Sequence, residues 1–201
     1  MNHLLQNSIF QGVISGLISS SIFLLILYSL KPRIVLSDKI SCHYVNWMGK
    51  DRRMYNFKVI NKSPFFKLYD VKVTAYICRQ LPNTNGNDIH RTVIKFLGSE
   101  TRTLAKFNRK HYLQNILQGD KSLTTRTDYA AQFSTEENIK NAFQNDKFII
   151  CEVMAKHSLT GFAKVVQVIY LHSTKVVDGR FYTGNSCKII ETSPENKTII
   201  P

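Results

Sequence analysis

The side chains able to do covalent or metal chemistry are few and scattered. The 201-residue chain holds six histidines and four cysteines. His3, His43, His90, His111, His157 and His172 show no HxxxH spacing, which would set two imidazoles on one helix face for a metal. Cys42, Cys78, Cys151 and Cys187 include no CxxC pair. Cys42 and His43 are adjacent, so on a strand they point to opposite faces. No GxSxG elbow presents an activated serine, and no GxxxxGK[ST] loop is present to cradle phosphates. Glu136 and Glu137 suit the positive start of a helix better than acid–base work. This reading predicts no enzyme: no catalytic residue, no metal and no cofactor.

One polar region does stand out. Between residues 91 and 126 lie Arg91, Lys95, Arg102, Lys106, Arg109, Lys110, Lys121 and Arg126, against only Glu100 and Asp120. Phe96, Phe107, His111 and Tyr112 are interleaved with them. Cations beside aromatic rings hold a phosphorylated, base-bearing ligand by ion pairing and stacking. Two plainer roles compete. The region could be a solvated basic face, or it could rest on an anionic leaflet, where each Lys or Arg contributes about 1 kcal/mol. Arg91, Lys95, Arg102, Lys106, Arg109 and Lys110 are the candidates for anionic ligand or lipid.

The elements that carry these residues begin with a charge step. The chain has 27 Lys+Arg against 14 Asp+Glu, a formal net charge of +13, yet residues 1–30 contain none of the four. Ile9–Leu30 is a 22-residue run without a charge. As a helix it spans about 33 Å, enough for a bilayer core of about 30 Å. A cleavable signal peptide needs a basic n-region and a small-residue cleavage site. MNHLLQN and LILYSLKPR offer neither, so the expectation is an uncleaved helix over residues 8–30 after a short N-terminal stretch, 1–7. Gly12, Gly16 and Ser20 recur every fourth residue, drifting about 40° per step, and so share one helix face. Small residues on one face let two helix backbones approach, which is what drives association in lipid. A homo-oligomer is expected on that basis. Lys31, Arg33 and Lys39 follow the helix and nothing basic precedes it. Positive flanks stay inside, which places the N-terminus outside and the body in the cytoplasm. There the four thiols stay reduced and mostly buried.

Past Pro32 the pattern becomes β. In LYDVKVTAYICR, residues 68–79, Tyr69, Val71, Val73, Ala75 and Ile77 fall on one face. Further strands are expected at Ile34–Leu36, Ser41–Trp47, Met54–Ile60, Thr92–Leu97, Tyr129–Phe133, Phe148–Ala155, Ala163–Leu171 and Cys187–Glu191. LPNTNGND, residues 81–88, reads as a loop, Ser158–Gly161 as a hairpin turn, and Asp178-Gly179 as another turn. Ser134 followed by Glu137 has capping-box spacing and predicts one short connecting helix. Trp47, the single tryptophan, is expected to pack in a core or an interface. Asn61-Lys62-Ser63 and Asn196-Lys197-Thr198 match a glycosylation triplet, which has no meaning in the cytoplasm. The fold class that follows is mainly β, an immunoglobulin-like sandwich with a β-barrel as the alternative, over residues 31–192, with 193–201 as a flexible tail.

This layout resembles small bacterial membrane effectors of anti-phage defence. The matching stretches are Ile9–Leu30, the break Lys31-Pro32-Arg33, and the strand–turn–strand YNFKVINKSPFFKLYDVKVTAY at 55–76. In that family N-terminal membrane helices carry a cytoplasmic β domain that senses a cyclic nucleotide or another infection signal. Oligomerisation then disrupts the inner membrane. The resemblance implies an inner-membrane effector whose partners are the lipid bilayer, further copies of itself, and a nucleotide second messenger. Effectors of this type often have two helices, and this chain has one. The alternative from a different class is a non-toxic anchor or scaffold whose β domain binds a partner protein and anionic lipid.

Overall fold

A computed structural model describes residues 2–29, 32–47, 49–83, 86–98, 101–107, 128–144, 146–158 and 161–191. The chain divides into two compact units, Met1–Lys31 and Pro32–Pro201.

The first unit is one helix, α1 (Asn2–Ser29). It begins at Asn2, ahead of the membrane-length run, because Leu and Gln near its start are good helix formers. Phe10–Tyr28, 19 residues of mean hydropathy 2.0, is long and apolar enough to cross a membrane, and none of it is buried. At about 1.5 Å per residue it measures about 28 Å, close to the bilayer core. Ser21 satisfies its hydroxyl in place, donating to the Leu17 carbonyl at 2.8 Å.

The second unit is built from strands in two sheets. The first sheet contains β1 (Ile34–Leu36), β2 (Ile40–Trp47), β3 (Lys50–Asn61), β7 (Ala130–Thr135), β10 (Val176–Phe181) and β11 (Ile189–Glu191). β1 and β2 lie end to end along one side of β3, and β7 takes the other side. β10 runs parallel to β2 and pairs on its far side with β11. The second sheet contains β4 (Leu68–Asn83), β5 (Gly86–Ile94), β6 (Thr101–Leu104), β8 (Lys147–His157) and β9 (Ala163–Tyr170). β5 and β6 share one side of β4, β8 takes the other, and β9 pairs with β8. β7 and β11 end one sheet, and β9 and the β5/β6 side end the other, so the arrangement is an open sandwich and not a closed barrel.

The core lies between the sheets. Alternating residues face inward: Tyr55, Phe57 and Val59 from β3, Val71, Val73 and Ala75 from β4, and Cys151, Val153 and Ala155 from β8. Phe57 stands edge to face against Phe96 (5.6 Å) and Tyr170 (5.9 Å). The buried Tyr170 hydroxyl donates to the Ser37 carbonyl at 2.6 Å, tying the sheets together at one end. Cys42, Cys78 and Cys151 are buried free thiols, and Cys187 is half-buried and free.

Several expectations are corrected. Where a loop is expected over 81–88, residues 81–83 and 86–88 are strand: β4 and β5 pair as one long hairpin as far as Asn83 opposite Gly86. A bulge between Tyr69 and Lys72, with Asp70 at φ 49°, breaks the alternation of β4. It turns Tyr69 outward, 44% exposed, while Leu68 and Val71 are buried. Asp178-Gly179 is no turn but the middle of β10. The strand expected at Thr92–Leu97 ends at Ile94, and β6 follows it unannounced. The short helix shrinks to one 3-10 turn, Asn141–Phe143. Its capping box does not form, because Ser134 belongs to β7 and gives its hydroxyl proton to Asn56 Oδ1 at 2.6 Å. Glu137 instead accepts from the Lys95 amide at 2.9 Å, and Glu136 pairs with Arg52 at 2.8 Å. Trp47 ends β2. The expected tail, 193–201, lies outside the described residues.

Candidate functional site

The basic region is not gathered into one patch. Arg91 on β5 stands opposite Cys78, and Arg102 on β6 stands opposite Val71. Seven residues of β4 separate those positions, about 23 Å at roughly 3.3 Å per residue. The Arg91 guanidinium lies over the Tyr76 ring, 5.8 Å from its centre. Lys95 and Lys106 are exposed in the connections after β5 and β6. Arg109, Lys110 and Lys31 lie outside the described residues. Arg33 enters β1 with its amide on Ser63 Oγ at 3.0 Å, and Lys39 is exposed before β2. On α1, a Cβ added to Gly12 or Gly16 would meet nothing within 4 Å, and Ser20 is exposed, so the small-residue row is open along its length.

Of the predicted cations among the described residues, Arg102 alone lines a cleft of about 680 Å³ on the β6–β7 side of the sandwich. Among the described residues its other cations are Lys58 and Lys67, and Asp128 is its one carboxylate. The Arg102 guanidinium covers the Phe133 ring at 5.0 Å, closing the gap between the sheets. Lys67 comes from the connection between β3 and β4. Lys58 comes from β3, on the face away from the core, and is nonetheless only 2% exposed.

The segment after β10 causes that burial. It folds back over β3, and the Lys58 ammonium donates to the carbonyls of Tyr182 and of Ser186, the latter at 2.7 Å. The Phe181 ring lies 5.9 Å from the same nitrogen. Among the described residues Lys58, Lys67 and Arg102 form no ion pair. A buried ammonium without a carboxylate is costly, and burial lowers the Lys58 pKa to about 8.

Asn61 holds the cleft walls. Fully buried, it donates from Nδ2 to the Phe66 carbonyl at 3.0 Å and to the Ala105 carbonyl at 2.8 Å, and its Oδ1 accepts from the Ser63 amide at 2.8 Å. Its own amide donates to the Tyr129 carbonyl at 2.8 Å, and the Ala105 amide to the Asp128 carbonyl at 2.9 Å. The Asn61 side chain thus fixes the backbone beside Lys67 and beyond Arg102, and main-chain bonds of Asn61 and Ala105 fix the backbone at Asp128 and Tyr129. A buried amide so engaged is closed to glycosylation in the folded chain. The second triplet, at Asn196, lies outside the described residues.

A second polar cluster is structural. Asp178 on β10 pairs with Arg53 at 3.1 Å and Lys140 at 2.9 Å. Arg53 also donates to Cys42 Sγ at 2.9 Å, but burial raises that thiol's pKa and keeps it protonated. The cluster joins β10, β3 and the 3-10 turn. Among the described residues no three His, Cys, Asp or Glu side chains gather to hold a metal ion.

No protein-family model matches the chain, and no curated protein is similar to it. The functional reading therefore rests on geometry. Sequence reasoning singled out Arg102 but missed Lys58 and Lys67. In MYNFKVI a lysine on the outer face of a strand looks like an ordinary solvated one, and nothing nearby in sequence foretells its cover.

Proposed function

We propose that the chain is a non-catalytic, single-pass effector of a bacterial inner membrane, with its N-terminus outside and its β unit in the cytoplasm. The β unit receives a signal, and association of α1 with further copies compromises the membrane, as an element of anti-phage defence. The observation that carries the reading is the membrane-length helix itself, with Gly12, Gly16 and Ser20 exposed on one face. The orientation is supported by the step from an uncharged leader to a body holding all 27 Lys+Arg. The cationic cleft supports a receiving role for the β unit.

The test is membrane potential and growth on induced expression, with and without phage, for the natural chain and for one whose Phe10–Tyr28 is replaced by an unrelated apolar helix. Depolarisation that the replacement abolishes supports the effector, whose output depends on how helices pack. No depolarisation under any condition removes it. Protease added to spheroplasts should leave the β unit whole, and its digestion would reverse the orientation.

One observation favours a second reading, an anchored scaffold for a partner protein. Val93, Tyr76, Ile150 and Ile169 form an apolar row across all four strand positions of the second sheet, on its outer face. The two ends of the row, Val93 and Ile169, are 55% and 49% exposed, while Ile150 between them is buried and Tyr76 half-buried under Arg91. A row of this kind suits contact with another protein surface. A scaffold would tolerate the helix replacement, since any apolar segment of that length satisfies the bilayer.

A further inference from the structure

We infer that the cleft between β6, β7 and the segment after β10 binds a phosphate-bearing ligand, with Lys58 as its floor and Lys67 and Arg102 on its walls. The inference rests on the reading of the β unit as the part that receives a signal, and it names where and what.

The volume, about 680 Å³, falls within the range of small-molecule sites. The charge selects the ligand. Among the described residues three cations against the single carboxylate of Asp128 leave two positive charges, and none of the three cations is used by an ion pair there. A phosphate monoester carries about two negative charges and balances them, whereas a carboxylate carries one.

Lys58 makes this a built site and not a solvated basic face. A surface lysine keeps its ammonium in water, but this one is buried and held by two backbone carbonyls. Two of its three N–H groups are so used, which leaves one donor for a ligand. Arg102 is preset by the Phe133 ring beneath it. Asn61 fixes the backbone that carries the walls, so the site needs little reorganisation on binding.

Calorimetry on the full-length chain in neutral detergent micelles tests this, with inorganic pyrophosphate as the probe. The expected result is saturable binding, weakened about tenfold or more by Lys58→Met and by Arg102→Gln, and unchanged by Lys72→Gln on the outer face of β4. Arg102 and Lys72 are exposed, so those two variants report even where Lys58→Met fails to fold. A second arm measures sedimentation with phosphatidic acid vesicles against phosphatidylcholine vesicles. Pyrophosphate binding that depends on Lys58 and Arg102 supports a soluble ligand. Vesicle binding with the same dependence, and no pyrophosphate binding, supports the same phosphate chemistry with a lipid headgroup as its source. Binding equal in all variants, or none in either arm, overturns the inference. Depolarisation that persists in a variant unable to bind pyrophosphate leaves the site standing and removes the sensing role. Site-dependent binding without any depolarisation removes the effector and not the site.

Discussion

Asn61→Ala puts the cleft's construction to the test. Three hydrogen bonds of its buried side chain are lost, to Phe66, Ala105 and Ser63. At about 1 kcal/mol net each, with a further penalty for carbonyls left unpaired, the cost is about 3–5 kcal/mol. For a body of this size each kcal/mol lowers Tm by about 2–4 °C, so the variant should melt about 6–20 °C below the natural chain. Loss of side-chain volume could mimic part of this. Asn61→Asp keeps the shape and removes only the two N–H donors, setting a carboxylate against two carbonyls, and should cost at least as much. Asn46→Ala is the control: exposed, bonded to Asp51 and Gly49 at 3.2 Å each, it should shift Tm by no more than about 2 °C. The assay is the thermal loss of sheet circular dichroism on the full-length chain. Asn61→Asp melting within about 2 °C of the natural chain would refute the pinning argument.

Gly179→Ala should detach β11 from β10: Gly179 has φ +149°, and a Cβ there would overlap the Ile190 carbonyl oxygen and lie 2.8 Å from Ile189 Cγ2. Hydrogen exchange at Ile189–Glu191 checks it, and a cost of about 1–3 kcal/mol is expected. His43 is held at a pKa of about 4, first by burial and then by Arg180, and its Nδ1 accepts from Asn56 Nδ2 at 3.2 Å. The unfolded chain therefore binds the extra proton first, so stability falls as pH drops from about 6.5 towards 4; the fall should be shallower in His43→Gln, by melts across that window. Gly12→Ile with Gly16→Ile should weaken helix association by about 1–2 kcal/mol, and unchanged crosslinked oligomers in membranes would reduce the row to filler.

What the sequence determined on its own was whatever depends on neighbours in the chain. A membrane-length helix follows from 22 residues without a charge, and most strands from alternation, since both signals are complete within a short window. Local signals misled where pairing overrode them. Asp178-Gly179 has turn chemistry, but β2 and β11 on either side recruit it into a strand. Ser134 has a cap's spacing, but β3 claims it as an edge residue. The site depended on tertiary structure almost entirely. Lys58 differs from a solvated lysine only because the Tyr182–Ser186 segment, more than 120 residues on, folds over it and turns two carbonyls towards its ammonium. Asn61 differs from a glycosylation triplet only because Phe66 and Ala105 close around its amide. Burial and hydrogen-bond partnership are properties of positions in space, and chain distance carries no record of them.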